Sequence, residues 1–335
     1  MADLDTLAAA VRSGQRRALA QAITLVESTR TDHRQRAVAL LEQLTPHAGH
    51  ATRIGVSGAP GVGKSTFIEA FGLHLLGQGL RVAVLSVDPS SAISGGSILG
   101  DKTRMERLAQ HPDAFIRPSP SGGTLGGVAR RTREAMLLCE AARFDVVVVE
   151  TVGVGQSETA VSEMTDFFLL LLSPAGGDDL QGIKRGIIEL ADLILVNKAD
   201  GELLLAARRT AADYRLALGL MQPRSPHWRT AVELCSALTG EGIPEAWATI
   251  CRYRDTLRAS GQLAARRAAQ SRAWMWHETS ESLLAALRRH PEVRRCLPAL
   301  ESAVTEGRLP PTVAAQQLLA VFLRTAEETG SGAAR

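Results

Sequence analysis

One segment limits the possible folds of this chain more than any other: Gly58-Ala-Pro-Gly-Val-Gly-Lys-Ser65, which fits the pattern GxxxxGKS/T. The apolar run Arg53–Ser57 precedes it and a helical pattern follows. In that context, glycines let successive backbone N–H groups converge on phosphate oxygens, and the helix adds its positive N-terminal end. We therefore predict a nucleotide-phosphate site, with Lys64 at the β- and γ-phosphates and the Ser65 hydroxyl on Mg²⁺. Its predicted binding residues are Gly58, Gly61, Val62, Gly63, Lys64, Ser65 and Thr66.

Short apolar runs separated by helix-length segments continue through the middle of the chain. They are Val82–Val87, Asp145–Glu150, Phe167–Leu172 and Leu193–Asn197. Several lack alternation, as expected of parallel strands that are buried on both faces. The pattern predicts a doubly wound α/β domain with a mostly parallel sheet over residues 50–250.

The two ends of the chain are predicted to be helical. Residues 1–49 carry apolar side chains at helical spacing, with arginines on the other face. Residues 251–335 are rich in Ala, Arg and Leu and show no strand signal. Prolines at Pro291, Pro298 and Pro310–Pro311 are expected to break this segment into several helices.

Composition argues against several classes of protein. The net charge of +3 is too small to indicate nucleic-acid binding. The four cysteines show no metal-ligand spacing, as expected of reduced thiols in the cytosol. No secretory signal is recognised, and the longest strongly apolar run, Phe167–Leu172, is too short to cross a bilayer. We expect a soluble cytoplasmic protein that binds neither nucleic acid nor membrane.

The tetrapeptide Asn197-Lys-Ala-Asp200 begins at the end of the last of these apolar runs and predicts which base the nucleotide carries. The Asp200 carboxylate can accept hydrogen bonds from guanine N1–H and from the exocyclic N2 amine. It would repel adenine, which has an acceptor at N1 and no N2 amine. Asn197 is expected to brace the loop and the Lys198 stem to lie along the base. Further along, Ser236 and Ala237 are candidates to contact the base O6 through backbone N–H groups.

Three carboxylates are candidate ligands of Mg²⁺, directly or through water: Asp88, Asp101 and Glu150. Asp88 and Glu150 end apolar runs, and the carboxyl ends of parallel strands face the ligand crevice. Gly153 is a candidate reporter of the γ-phosphate through its backbone N–H. Many GTPases place a Gln after this glycine to orient water, whereas Val154 stands here. We therefore expect slow intrinsic hydrolysis that a partner accelerates.

Together these motifs resemble the MeaB/ArgK family of GTPases over about residues 50–240. The resemblance is carried by Gly58–Thr66, Ser86–Ser91, Gly96–Met105, Ile116–Pro120, Leu125–Gly127, Glu150–Glu158, Asp179–Gly186 and Asn197–Asp200. It implies a P-loop GTPase that binds GTP and GDP with Mg²⁺ and gates adenosylcobalamin loading. Such a protein would protect or reactivate an adenosylcobalamin-dependent acyl-CoA mutase, methylmalonyl-CoA mutase or a close relative. It further implies a homodimer through the helical ends, with an adenosyltransferase of the same pathway as a further partner.

The resemblance also implies three switches, at Gly96–Met105, at Glu150–Glu158 and at Gly177–Ile188. Lys184 lies in the third switch, which would communicate with the mutase. The predicted catalytic residues are therefore Lys64, Asp88, Glu150, Gly153 and Lys184.

Two alternative functions remain open at this point. The first is an ATP-dependent kinase of amino-acid transport, against which the guanine motif argues. The second is a metal-insertion GTPase, which would need a Cys/His cluster near the phosphate loop; His47, His50 and His74 make a poor one. The arginine-rich C-terminal helices are expected to form a solvated face rather than a nucleic-acid surface. The identity of the client mutase also stays open.

Overall fold

The computed structural model describes residues 4–87, 105–118, 125–151, 157–174 and 185–331. These residues form two compact units, Met1–Arg267 and Ala268–Arg335. The predicted segments 1–49, 50–250 and 251–335 stay predictions, because packing units and functional segments need not have the same limits.

The first unit begins with three helices and continues with alternating strands and helices. The helices are α1 (Leu4–Arg12), α2 (Arg16–Glu27), α3 (Thr31–Leu44), α4 (Lys64–Gly77), α5 (Glu106–Gln110), α6 (Leu125–Ala141), α7 (Ser157–Met164), α8 (Arg185–Leu190), α9 (Leu204–Gly219) and α10 (Ile243–Ala259). The strands are β1 (Thr52–Gly58), β2 (Val82–Val87), β3 (Ala114–Arg117), β4 (Val146–Thr151), β5 (Phe167–Leu172), β6 (Leu193–Val196) and β7 (Ala231–Leu234). Helix α11 (Gln262–Arg289) contributes its first residues to this unit.

The seven strands form one sheet in the order β3-β2-β4-β1-β5-β6-β7. Every pair of neighbouring strands is parallel. The α/β prediction with a mostly parallel sheet is therefore confirmed, and the described sheet is parallel throughout. Since β1 lies between β4 and β5, the loop that follows β1 opens beside the carboxyl ends of both neighbours.

Both faces of the sheet are covered by apolar side chains, which explains why the strands lack alternation. In β4, Val146 and Val148 belong to one core, and Val147 and Val149 belong to the other. The first of these cores contains side chains of α4 and α10, and the second contains side chains of α1, α2, α3 and α6. The N-terminal helices therefore pack in the same core as one face of the sheet.

The first unit extends to Arg267 because the start of α11 is tied to the amino end of the sheet. The Arg267 guanidinium donates to both oxygens of Asp166, at 2.8 and 2.5 Å, and to the Ala51 carbonyl. Asp166 also accepts the backbone N–H of Arg53, at 3.0 Å. The carboxylate thus joins the chain before β5 to β1 and to α11.

The second unit contains the rest of α11, α12 (Pro291–Thr305) and α13 (Pro311–Ser331). Pro291 and Pro311 each occupy the first helical position, where no amide partner is lost. The expected break at Pro298 is wrong: α12 continues through it. Pro298 is exposed, so water can reach the carbonyl that loses its amide partner. None of the described helices combines the length and apolar character needed to span a membrane.

Candidate nucleotide site

The phosphate loop connects the end of β1 to the start of α4, as the sequence predicts. Gly61 and Gly63 have φ values of 80° and 93°, a left-handed region that favours glycine. A Cβ at Gly63 would lie 2.7 Å from Asn197 Nδ2, and one at Gly58 would lie 2.5 Å from the Leu171 carbonyl oxygen. These glycines are therefore needed both for the turn and for its close contact with β5 and the residue after β6.

Lys64 is the first residue of α4, and its ammonium group is folded back over the loop. Lys64 Nζ donates to the carbonyl oxygens of Gly58, at 2.6 Å, and Ala59, at 3.2 Å. Burial lowers the pKa of Lys64 below its usual value, and the negative charges of Glu150 and Glu158 oppose that shift. The charge of Lys64 is thus held beside the concave loop, where nucleotide phosphates would lie.

Buried polar groups lie at the ends of the strands beside the loop. Glu150, the second-last residue of β4, is 4% exposed and pairs in register with Ser86 of β2. Thr151 donates its hydroxyl to Ser57 of β1, at 3.0 Å. Glu158 is not among the predicted site residues; it is 1% exposed in the first turn of α7, and its negative charge raises the pKa of Lys64 against the effect of burial. In the sequence, Glu158 ends the run Val154-Gly-Gln-Ser-Glu158, at a helix start. This run indicates a switch, but it does not indicate that the Glu158 charge lies near Lys64.

Asn197, directly after β6, connects three loops. Its side-chain Nδ2 donates to the Val62 carbonyl in the phosphate loop, at 2.9 Å. Its Oδ1 accepts the backbone N–H of Ala237, at 3.0 Å, and the Cys235 thiol, at 3.6 Å. Asn197 is 1% exposed, so these bonds are shielded from water. These are the bonds through which Asn197 would brace the loop, as the sequence leads us to expect.

Lys198 and Asp200 extend from the same loop. Lys198 has a φ of 59°, and its ammonium donates to the Gly61 carbonyl, at 2.9 Å. The lysine stem therefore bridges from the base motif to the phosphate loop. Asp200 is half-buried and precedes a short 3-10 helix, Gly201–Leu203. Its partial exposure leaves room for the predicted contact with a base.

The supporting loop after β7 differs in detail from the expectation. The backbone N–H of Ser236 donates to the Glu241 carbonyl, and that of Ala237 donates to Asn197. A base O6 would have to share or replace the Ala237 bond. Burial, followed by the negative charge of Glu233, raises the pKa of the Cys235 thiol to about 12, so the thiol stays protonated and can donate to Asn197.

The structure brings together the phosphate-loop residues, Glu150, the Asn197–Asp200 loop, Ser236 and Ala237. Four predicted site residues lie outside the described residues: Asp88, Asp101, Gly153 and Lys184. Their roles stay predictions.

The described donors fit Mg²⁺. A hydroxyl from Ser65 in the first turn of α4 and a buried carboxylate from Glu150 are the hard oxygen ligands that this ion prefers. The described residues contain no group of three His, Cys, Asp or Glu placed to hold a metal. Mg²⁺ needs no such cage, since it is usually bound through one or two protein ligands, substrate phosphates and water. Ser86 is the residue of β2 that lies opposite Glu150 in the sheet. Its buried hydroxyl has no hydrogen-bond partner among the described residues.

Replacing Cys235 with valine should weaken GDP binding about threefold, because it removes one weak donor to the Asn197 oxygen without creating a large cavity. Cys235→Ser, which keeps a donor, should bind GDP as the unmodified protein does. Calorimetric titration with Mg·GDP measures both, and Cys251→Val, at a half-buried cysteine in α10, is the control. Equal affinity for the serine and valine variants would show that the thiol does not position Asn197.

Comparisons with known proteins agree with this site. Residues 19–292 match the model of the family described as "Methylmalonyl Co-A mutase-associated GTPase MeaB". A putative GTPase of Caulobacter vibrioides is 57% identical over 96% of this chain and 98% of its own length. The mitochondrial methylmalonic aciduria type A homolog of Mus musculus is 51% identical over 95% of this chain and 79% of its own length.

A solved structure extends the likeness to the whole fold. The crystal structure of a LAO/AO transport system kinase superposes with a TM-score of 0.76 at 41% identity, covering 96% of this chain and 97% of that one. The phosphate loop, the guanine motif and the parallel sheet agree with what the family model and these relatives indicate. The chain belongs to the MeaB family of P-loop GTPases.

Proposed function

We propose that this GTPase is a cytoplasmic chaperone of an adenosylcobalamin-dependent acyl-CoA mutase, methylmalonyl-CoA mutase or a close relative. It would gate cofactor loading and protect the mutase from inactivation, and an adenosyltransferase would act in the same pathway. The observation that carries the proposal is the match of residues 19–292 to a family described as mutase-associated. The likeness to the methylmalonic aciduria type A homolog supports it.

The described residues suggest how the site would hold GTP. Loop N–H groups and Lys64 would bind the β- and γ-phosphates, and Asp200 would read the base. Ser65 and Glu150, with Asp88 and Asp101, would hold Mg²⁺, which when bound neutralises charge that develops on the phosphates. The buried negative charges of Glu150 and Glu158 favour the protonated form of Lys64 against burial. Gly153 would sense the γ-phosphate, and Val154, in place of a water-orienting Gln, is consistent with slow hydrolysis without a partner.

The partner is expected to act through the segment Gly177–Ile188. Its last residues enter α8, which packs beside β5 of the nucleotide-binding sheet. Lys184 directly precedes this helix. A change in the segment caused by a bound mutase can therefore be transmitted to the sheet that carries the nucleotide loops.

We expect the mutase to accelerate GTP hydrolysis by this protein, and Lys184→Ala to remove that acceleration while GTP affinity stays unchanged. Phosphate release is measured with and without the candidate mutase, and GTP affinity is measured by calorimetry. Arg17→Ala, an exposed cation on α2, is the control. A lost GTP affinity would assign Lys184 to nucleotide binding, and an unchanged rate with every candidate mutase would refute the chaperone role.

The proposed homodimer is supported by the surface of the second unit. Large apolar side chains are exposed on α11 and α13, among them Trp276 at 63% and Leu323 at 58%. Exposed apolar side chains that form a contiguous patch are typical of association surfaces. Sedimentation velocity of the preparation used above tests this part of the proposal, which a single monomeric species at micromolar concentration would contradict.

One finding favours a second candidate function: the similar solved structure is that of a transport system kinase. That activity would use ATP, whereas the motif Asn197–Asp200 is expected to select guanine through the Asp200 carboxylate. Competition of ATP and GTP for the site separates the two candidates. Tight binding of ATP would favour the kinase.

A further inference from the structure

A surface cavity of about 440 Å³, open to solvent, lies at the amino ends of the central strands, on the opposite side of the sheet from the phosphate loop. It is formed by the end of α1, by residues 47–50 before β1 and by the turn that links α6 to β4. These parts of the chain lie at the amino ends of β1 and β4, whereas the phosphate loop follows the carboxyl end of β1. Since β1 spans seven residues, the two places are roughly 20 Å apart.

The lining of this cavity is basic. Arg12, Arg143, His47 and His50 face it, and the lining residues that the structure describes include no carboxylate. Arg12 Nη1 lies 3.2 Å from His47 Nε2, and since a guanidinium can only donate, His47 accepts through this nitrogen. The nearby Glu140 does not neutralise the lining, because it is fully buried and binds Arg53 and the Gly49 N–H.

Arg143 adopts a backbone conformation that disfavours arginine. It follows α6 with a φ of 65°, in a turn where Phe144 N–H bonds to the Cys139 carbonyl and Arg143 N–H to the Glu140 carbonyl. Three other described helices end with the same pair of bonds, and there the corresponding residue is Gly14, Gly79 or Gly307. Glycine is favoured at this position because it has no Cβ. An arginine kept where glycine would be more stable points to a role for its side chain.

Capping of a helix end does not account for Arg143, whereas Arg12 lies in the last turn of α1, where the helix dipole also favours a cation. Cations are favoured near helix C-termini because they interact with the last carbonyl groups. Arg81 already donates to carbonyls just beyond the ends of α6 and α1: to that of Ala142, at 2.7 Å, and to that of Gly14, at 3.4 Å. Arg143 is exposed and is one of the residues that line the cavity, and the structure shows no hydrogen bond or ion pair from its guanidinium to the described residues.

We propose that this cavity binds a small organic phosphate, in addition to the nucleotide bound at the phosphate loop. Two guanidinium groups and two imidazoles supply donors to a phosphate, and guanidinium groups bind phosphates in a bidentate manner. The volume lies in the range of small-molecule sites and exceeds what inorganic phosphate needs. Ala9 and Ala141 give the cavity an apolar wall against which an organic group can pack.

The test uses the full chain saturated with Mg·GDP, so that the phosphate loop is already filled. Phenyl phosphate, a phosphate ester with an apolar group, is titrated by calorimetry at constant ionic strength, and inorganic phosphate is titrated in parallel. We expect saturable binding of phenyl phosphate at one site, tighter than that of inorganic phosphate. Arg12→Gln and Arg143→Gly should each weaken it about tenfold, as expected for the loss of one charged hydrogen-bonding group. Arg17→Gln, at an exposed position of α2, should leave it unchanged.

Arg143→Gly also separates ligand binding from folding. Because glycine adopts a φ of 65° more readily than arginine, this variant should unfold at the same or a higher temperature than the unmodified protein. A variant that is at least as stable yet binds phenyl phosphate more weakly supports the site. Equal affinity in Arg12→Gln, Arg143→Gly and Arg17→Gln, no saturable binding, or equal affinity for inorganic phosphate would overturn the proposal.

Discussion

Replacing Lys64 with arginine should abolish binding of GTP and GDP while the protein remains folded. The Lys64 ammonium lies 2.6 Å from the Gly58 carbonyl oxygen and 3.2 Å from that of Ala59, inside the turn of the phosphate loop. An ammonium is a compact charge, whereas a guanidinium is a wide planar group that cannot enter so narrow a space in the same position. The arginine side chain would therefore be displaced from the loop and occupy space that the phosphates need.

Lys64→Ala is the matched variant, because it removes the charge without adding bulk. The loss of charge-assisted bonds to two phosphates should weaken GDP binding by at least about a hundredfold. The Lys64→Arg variant should bind no better than the Lys64→Ala variant if shape matters as well as charge. Calorimetry with Mg·GDP, together with thermal unfolding of both variants, measures this. GDP binding by Lys64→Arg within a few-fold of the unmodified protein would contradict the steric argument.

Replacing Asp200 with asparagine should change the preferred base from guanine to xanthine. The carboxylate accepts from N1–H and from the N2 amine of guanine. An asparagine oxygen can still accept from N1–H, but its NH₂ faces the guanine amine, which leaves two donors opposed. Xanthine has a carbonyl at that position and can accept from the asparagine. GDP affinity should fall about a hundredfold or more, and xanthosine diphosphate should become the tighter ligand.

Glu202→Gln is the control for this change, because it alters the charge by the same amount at an exposed position two residues away. Competition between GDP, ADP and xanthosine diphosphate measures the preference of each variant. If Asp200→Asn keeps the guanine preference, another group reads the base, and the assignment of Asp200 is wrong.

The central strands could be predicted from the sequence, but the strands at the edges could not. Runs such as Phe167–Leu172 are continuous and apolar because both of their faces are buried. The strands β3 and β7 have four residues each and lie at the two edges of the sheet, and β7 is only partly buried. Short, partly exposed segments carry too few apolar residues to reveal a period. Their existence depends on pairing with β2 and β6, which is a tertiary effect.

The candidate site could be predicted from the sequence where residues act through a local motif. The phosphate loop and the base motif are contiguous segments, and the structure places the first between β1 and α4 and the second directly after β6. Three features depend on residues far apart in the chain: the contact of Asn197 with Val62, the use of the Ala237 N–H by Asn197, and the charge of Glu158 near Lys64. The basic cavity likewise joins α1 to the turn after α6, and no local pattern indicates it.

The position of Asn197 has a consequence for the rate at which nucleotide leaves. One buried side chain bonds both to Val62, beside the phosphates, and to Ala237, beside the base. Loosening of either loop removes support from the other, so the two ends of a bound GDP should be released together. Dissociation should then follow a single exponential, and a partner that moves either loop would speed the whole exchange.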